Sequence, residues 1–194
     1  MSPRAIASAT VGLAALVVAS VLFVGLSRWY GPRVQQTTAA AARVAPTPPP
    51  PAAGRKIKVH LFYVADDGVS LTSIERDIAF GESTLEQARY IMAAQIAPAS
   101  EPALSAIPAG TTLRALFLGE GGEAFVDLSR ELRTGHAGGT VNELLTVYTI
   151  VNALTANLPA VTSVQILVDG KELDTLSGHV DLRRPIAKNA GLVR

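Results

Sequence analysis

Hydrophobic and polar positions along the chain separate into a few clear runs. Ile57-Lys58-Val59-His60 alternates, then Leu61-Phe62-Tyr63-Val64 is continuously apolar until Asp66-Asp67-Gly68, which predicts a strand with a central place in a sheet. Leu71 through Phe80 fits strand or helix by period and is read as an extended segment. Ser83 and Glu86 have capping-box spacing, and Leu85, Ala88, Met92 and Ile96 then share one helical face up to Pro98. A Pro-punctuated loop follows over 98–108. Leu113–Leu118 and Glu123–Leu128 flank Gly119-Glu120-Gly121-Gly122, a hairpin signal with glycines where positive φ is needed. Thr140 and Glu143 form a second capping box, as N-cap and N3, ahead of an apolar stripe of Val141, Leu144, Leu145, Tyr148, Val151, Leu154 and Leu158. Pro159 stops that helix. A last strand runs from Val161 to Val168 and ends in Asp169-Gly170, a type I′ turn signal.

These elements predict an α+β domain over residues 57–184, with two helices packed on one face of a four- to five-stranded mixed sheet. The tail over 185–194 is read as loose.

The amino-terminal part follows a different pattern. Ile6 to Leu26 is a run of twenty-one residues without a charge, Pro, Asn or Gln, bracketed by Arg4 and Arg28. As a helix it spans roughly 32 Å, the thickness of a bilayer core. Trp29 and Tyr30 follow where interfacial rings belong. Residues 1–28 therefore read as an uncleaved transmembrane signal anchor. A cleaved signal peptide, whose apolar region is shorter, is the competing reading. Residues 29–56 form an Ala/Pro-rich linker whose run Pro46-Thr47-Pro48-Pro49-Pro50-Pro51 favours extended polyproline II, a spacer holding the domain off the membrane. The arginines after the helix argue for the opposite orientation, but long domains translocate largely regardless of such counts. The expected topology is single-pass in a bacterial inner membrane, with the domain extracytoplasmic.

Charge and composition narrow the function classes. Residues 1–56 carry six Lys/Arg and no acid, whereas 57–194 carry eleven against all sixteen acids. A net-acidic domain is a poor match for nucleic acid, whose binding needs clustered cations. The absence of cysteine removes disulfides, thiolate metal sites and a cysteine nucleophile.

Candidate chemistry is sparse. Asp127, Ser129 and His136 supply the residue types of a hydrolase triad, but no Gly-x-Ser-x-Gly elbow accompanies them, and capping is the ordinary use of Asp and Ser at a strand end. His60, His136 and His179 lack metal-ligand spacing. Asp66, Asp67 and Asp77 do not follow a calcium-loop pattern, and Asx turns account for Asp66-Asp67-Gly68. Gly119–Gly122 has no Lys-Ser/Thr after it, so it is no phosphate loop. Arg130, Arg133, Arg183 and Arg184 read as a solvated surface, while Leu104 and Ile107 would mark a contact patch if exposed. Gly110, Gly138, Gly139 and Gly170 are assigned to backbone turns. The aromatic residues of the domain are placed mostly on core faces, which disfavours carbohydrate recognition. No catalytic residue, cofactor or metal ligand is assigned.

Several segments, taken in order, carry a resemblance: Leu61-Phe62-Tyr63-Val64, then Leu71 with Arg76 and Ile78, Ile107-Pro108-Ala109-Gly110-Thr111, Val126-Asp127-Leu128-Ser129, Gly138-Gly139 before a helix, Val168-Asp169-Gly170, and Leu176-Ser177-Gly178-His179-Val180-Asp181. Together, over roughly 57–184, they resemble the GerMN domain of sporulation and spore-germination proteins. The resemblance implies a non-catalytic extracytoplasmic module, similar in fold to the ring-building motifs of secretion-system rings. The chain departs from the sporulation pattern in having one domain copy and a membrane helix in place of a lipid-modified cysteine. The expected function is a membrane-anchored envelope scaffold or interaction domain that binds an envelope protein or itself. The alternative is a peptidoglycan-binding accessory of a wall-remodelling enzyme.

Overall fold

An Asx turn starts the first hairpin. Asp67 Oδ1 accepts the N–H groups of Val69 and Ser70, both at 2.9 Å, and Ser70 Oγ donates to Asp67 Oδ2 at 2.7 Å. Gly68 supplies the positive φ of this turn, +69°. On either side run β1 (Lys56–Val64) and β2 (Leu71–Ala79), paired antiparallel from Lys56↔Ala79 to Val64↔Leu71. This computed structural model describes residues 54–99 and 102–194. The expected membrane anchor and all but the end of the linker lie outside the described residues. Among those described, no helix is long and apolar enough to cross a membrane.

Helix α1 (Thr84–Ile96) begins as its capping signal predicts: Ser83 is extended, and its Oγ accepts from Glu86 N at 3.1 Å. The reciprocal bond is shifted by one residue, since Glu86 Oε2 accepts from Glu82 N at 2.8 Å. Its buried face is Gln87, Ala88, Ile91, Met92 and Gln95. Of the predicted stripe, Ala88 and Met92 are buried and Leu85 and Ile96 only partly so. The face is rotated because two glutamines on it serve the backbone. Gln87 Oε1 accepts from Gly81 N at 2.8 Å, and Gln95 serves β1 as described below.

The main sheet is built from β3 (Leu113–Leu118), β4 (Glu123–Leu128), β5 (Ser163–Val168), β6 (Lys171–Glu172) and β7 (Ile186–Ala187). Its order is β3-β4-β5-β6, with β7 also on β5. Only the β4–β5 pair is parallel, so the sheet is mixed. The β3–β4 hairpin closes as a type I turn with a glycine bulge. Gly122 N donates to Gly119 O at 3.3 Å, Gly119 N donates to Glu123 O at 2.8 Å, and Gly122 has φ +86°. At the other hairpin Asp169 (φ +50°) and Gly170 (φ +74°) join Val168 to Lys171, the predicted type I′ turn.

A short α2 (Glu131–Thr134) and the long α3 (Thr140–Asn157) make the crossover that a parallel β4–β5 pair requires. The capping box expected at α3 is not formed. Gly139 occupies the N-cap with φ +85° and makes no side-chain bond, while Thr140 is exposed. Glu143 turns away from the helix end for a reason given below. Helix α3 is buried along most of its circumference, with ten buried residues from Glu143 to Leu154, because it contacts β1, α1, β5 and β7. Leu145, Ile150 and Leu154 are among the fully buried side chains, each contributing roughly 1.5–3 kcal/mol over an exposed position.

The strands do not form one sheet, which corrects the central position expected for β1. Its second edge is closed by side chains and a loop. Asn157 Oδ1 accepts from His60 N at 2.8 Å and Asn157 Nδ2 donates to His60 O at 2.7 Å. Gln95 does the same for Phe62, with both distances 2.8 Å. Val64 N donates to Leu104 O at 2.8 Å. Both long helices contact the β1–β2 hairpin and the main sheet alike.

The tail is not loose. β7 pairs with β5, Asn189 exchanges hydrogen bonds with Asn152 of α3, Arg194 N donates to Leu71 O at 2.9 Å, and Arg194 Nη1 lies 2.9 Å from Asp67 Oδ2. These are backbone, amide and ion-pair contacts to β5, β2, the first turn and α3, invisible to a hydrophobicity pattern.

Candidate interaction surfaces

Asp127, Ser129 and His136 are engaged separately. Asp127 Oδ2 receives Arg114 Nε at 3.1 Å and its Oδ1 receives Gly170 N at 2.7 Å, tying β4 to the turn after β5. Arg114 also reaches Asp169, at 3.4 Å. Ser129 Oγ accepts from Thr112 N at 3.0 Å. His136 Nδ1 accepts from Gly138 N at 2.9 Å, and its Nε2 lies 3.2 Å from Thr146 Oγ1. Each group holds a loop to an element, and no nucleophile–base pair is assembled from them.

The three histidines also stand apart. His60 is on the exposed side of β1 with Nδ1 3.1 Å from Ser73 Oγ, and His179 Nδ1 lies 3.1 Å from Glu143 Oε2. Among the described residues no cluster of three or more His, Asp or Glu could hold a metal ion. Asp67 is occupied by its turn, whose backbone N–H of Val69 and hydroxyl of Ser70 hold its pKa below the ordinary value. Asp66 and Asp77 are exposed. The four glycines assigned to turns, Gly110, Gly138, Gly139 and Gly170, all have positive φ.

Glu143 is the main residue whose role the sequence misplaces. Its side chain is fully buried, and Oε1 accepts from Leu176 N at 2.8 Å. Oε2 accepts from Ser177 Oγ at 2.8 Å and His179 N at 2.9 Å. Burial pushes its pKa up, but the hydrogen bonds from Ser177, His179 and Leu176 outweigh it and hold the group at about 2. A carboxylate in the first turn of α3 thus anchors the loop over 174–182. Its distance from that loop in the chain, more than thirty residues, is why capping-box spacing suggested a local partner.

Two surface features stand out among the described residues. A cleft of about 770 Å³ is walled by Val64, Ile96, Leu104, Ile107 and Leu145, with His136 and Thr146 at one side. Leu104 is 64% exposed whereas Ile107 is buried, so only the first forms part of an outer patch. The other surface is the outer side of the β3–β4 hairpin; on β5 the same face is covered, where buried Gln165 donates to Leu182 O at 2.7 Å. Ala124, Val126 and Leu128 of β4 point into the core, so the alternate residue Phe125 points outward, directly opposite Phe117 of β3. Phe117 is 58% exposed, so it departs from the expected placement of most aromatic residues on core faces, which Phe62 and Tyr63 do occupy. Of the four arginines, Arg183 forms a two-pronged pair with Asp181 and Arg130 reaches Glu131.

Comparison with solved structures gives three similar chains. A lipoprotein candidate from Clostridium perfringens is 23% identical, covering 73% of this chain and 93% of its own, with a TM-score of 0.48. The tandem GerMN domains of the sporulation protein GerM from Bacillus subtilis are 20% identical, with 70% of this chain and 46% of theirs covered and a TM-score of 0.51. The first GerMN domain of that protein alone is 16% identical over 69% and 98%, with a TM-score of 0.48. This chain thus spans about half of the tandem protein, and the likeness at 0.51 supports the same α+β mixed-sheet fold. No curated protein matches. The family model described as Germane, sporulation and spore germination, matches residues 60–174, and the chain belongs to that family, the GerMN family.

Proposed function

We propose that the protein is a non-catalytic, membrane-anchored module of the bacterial cell envelope that works by binding an envelope protein or itself. The observation that carries this reading is the use made of its chemically capable side chains. Asp127, Ser129, His136 and Glu143 each hold one part of the fold to another. The twenty-one-residue apolar run and the Pro-rich spacer support an anchor with the domain outside the cytoplasm. The single-pass topology is tested by fusing alkaline phosphatase or β-galactosidase after residue 194. Phosphatase activity in cells supports the extracytoplasmic domain, and β-galactosidase activity alone contradicts it.

Peptidoglycan binding is the second reading, favoured by one observation: Phe117 and Phe125 present aromatic rings on an outer sheet face. Retention of the purified protein on isolated sacculi would support it.

A further inference from the structure

We infer that the outer face of the β3–β4 hairpin is a docking surface for a partner protein that presents an arginine or lysine side chain. This rests on the reading of the domain as a binding module and names the chemistry of its partner.

The surface is built from a cross-strand aromatic pair and two carboxylates. Phe117 and Phe125 are directly opposite in the β3–β4 register, so their side chains share one face. Phe117 is more than half exposed, among the few large apolar side chains that are. The Phe125 ring lies beside the turn, since a Cβ added at Gly119 would sit 3.5 Å from its Cε2. The Glu123 carboxylate folds over the same turn, 2.7–3.1 Å from Cβ positions on Gly119 and Gly121. Glu120 is exposed at the tip. Neither Glu120 nor Glu123 forms an ion pair among the described residues.

Charge complementarity selects the occupant. A purely apolar partner would cover the rings only by stripping water from Glu123, which costs free energy without a compensating donor. A guanidinium or ammonium group resolves both demands, stacking on the negative face of a ring while donating to the adjacent carboxylate. The molecule already uses half of this arrangement internally, where the Arg55 guanidinium sits 3.7 Å from the centroid of Phe80.

The test is fluorescence anisotropy of labelled synthetic peptides, one alternating Arg and Ala and one alternating Glu and Ala, titrated with full-length protein in detergent. The Arg–Ala peptide is expected to bind in a salt-sensitive way, the Glu–Ala peptide not to bind, and Phe117→Ala to weaken binding about tenfold. Glu120→Gln is expected to weaken it less and to flatten the salt dependence. Unchanged thermal unfolding of both variants shows that the fold is intact. Equal binding of the two peptides, or Arg–Ala binding indifferent to Phe117→Ala, overturns the proposal. So does a change of oligomeric state in Phe117→Ala, which assigns the face to a second copy, or loss of sacculus retention, which assigns it to wall glycan. If the peptide fails to bind while envelope contacts form elsewhere on the domain, this surface is wrong and the binding-module reading stands.

Discussion

The side-chain amide of Gln95 pairs with both backbone groups of Phe62, accepting its N–H and donating to its C=O, each at 2.8 Å. The amide of a helix thereby stands in for a neighbouring strand. Gln95 is fully buried and Phe62 nearly so, and water cannot replace the bonds.

Replacement of Gln95 by Leu keeps the volume and removes both partners. A buried backbone group left unsatisfied costs about 1–3 kcal/mol, so the variant is expected to unfold at clearly lower urea concentration than the wild type. Asn157→Ala removes the equivalent pair at His60, which is exposed, and is expected to cost less. Equal effects of the two would contradict the role of burial.

The pH dependence of Glu143 has a definite sign. Its folded-state pKa of about 2 lies below the ordinary 4.5. The stabilisation is therefore complete above pH 4.5, shrinks as pH falls below that value, and is gone below about pH 2. The shift corresponds to about 3 kcal/mol at most. In Glu143→Gln the amide NH2 meets the donors of Ser177 or His179, so this variant is expected to be less stable at neutral pH, with the gap to wild type closing on acidification. A gap independent of pH between 2 and 6 would show that the charge is not what holds the loop.

Two glycines separate backbone strain from crowding. At Gly170 an added Cβ meets nothing within 4 Å, so Gly170→Ala should cost only the left-handed conformation, about 1–2 kcal/mol. At Gly122, also at positive φ, the same Cβ lies 3.1 Å from Ala160 O and 3.0 Å from Thr162 Oγ1. Gly122→Ala is expected to be the more destabilising of the two in thermal unfolding.

Removal of residues 185–194 tests the docked tail. The truncation deletes β7, the Asn189 partner of Asn152 and the Arg194 contact with Asp67. A fall in melting temperature of several degrees is expected from the loss of about 1–2 kcal/mol, and an unchanged value would restore the reading of a loose end.

Local signals were the legible part of the sequence. The Gly119–Gly122 and Asp169-Gly170 turns, the Ser83 cap and the positive-φ glycines each depend on residues a few positions apart, and period together with capping spacing and the prolines Pro98 and Pro159 placed both long helices. What escaped depends on distant partners. The separation of β1 from the main sheet turns on Gln95 and Asn157, polar residues that look like ordinary helix surface. Glu143 had the spacing of a cap, but its four donors come from a loop over thirty residues away. The outward position of Phe117 was not legible either, because alternation from the polar Arg114 would put Leu116 outward and Phe117 inward, and the register shift between Leu113 and Ala115 reverses the faces.

The central claim is that this domain acts by contact with a protein of the envelope. Site-specific photo-crosslinking in intact cells, from exposed positions such as Leu104 and Phe117 of the full-length protein, followed by mass spectrometry, tests it most directly. The account predicts discrete crosslinks to one envelope protein or to a second copy, confined to one face of the domain. Only free monomers, or links only to wall material, would contradict it.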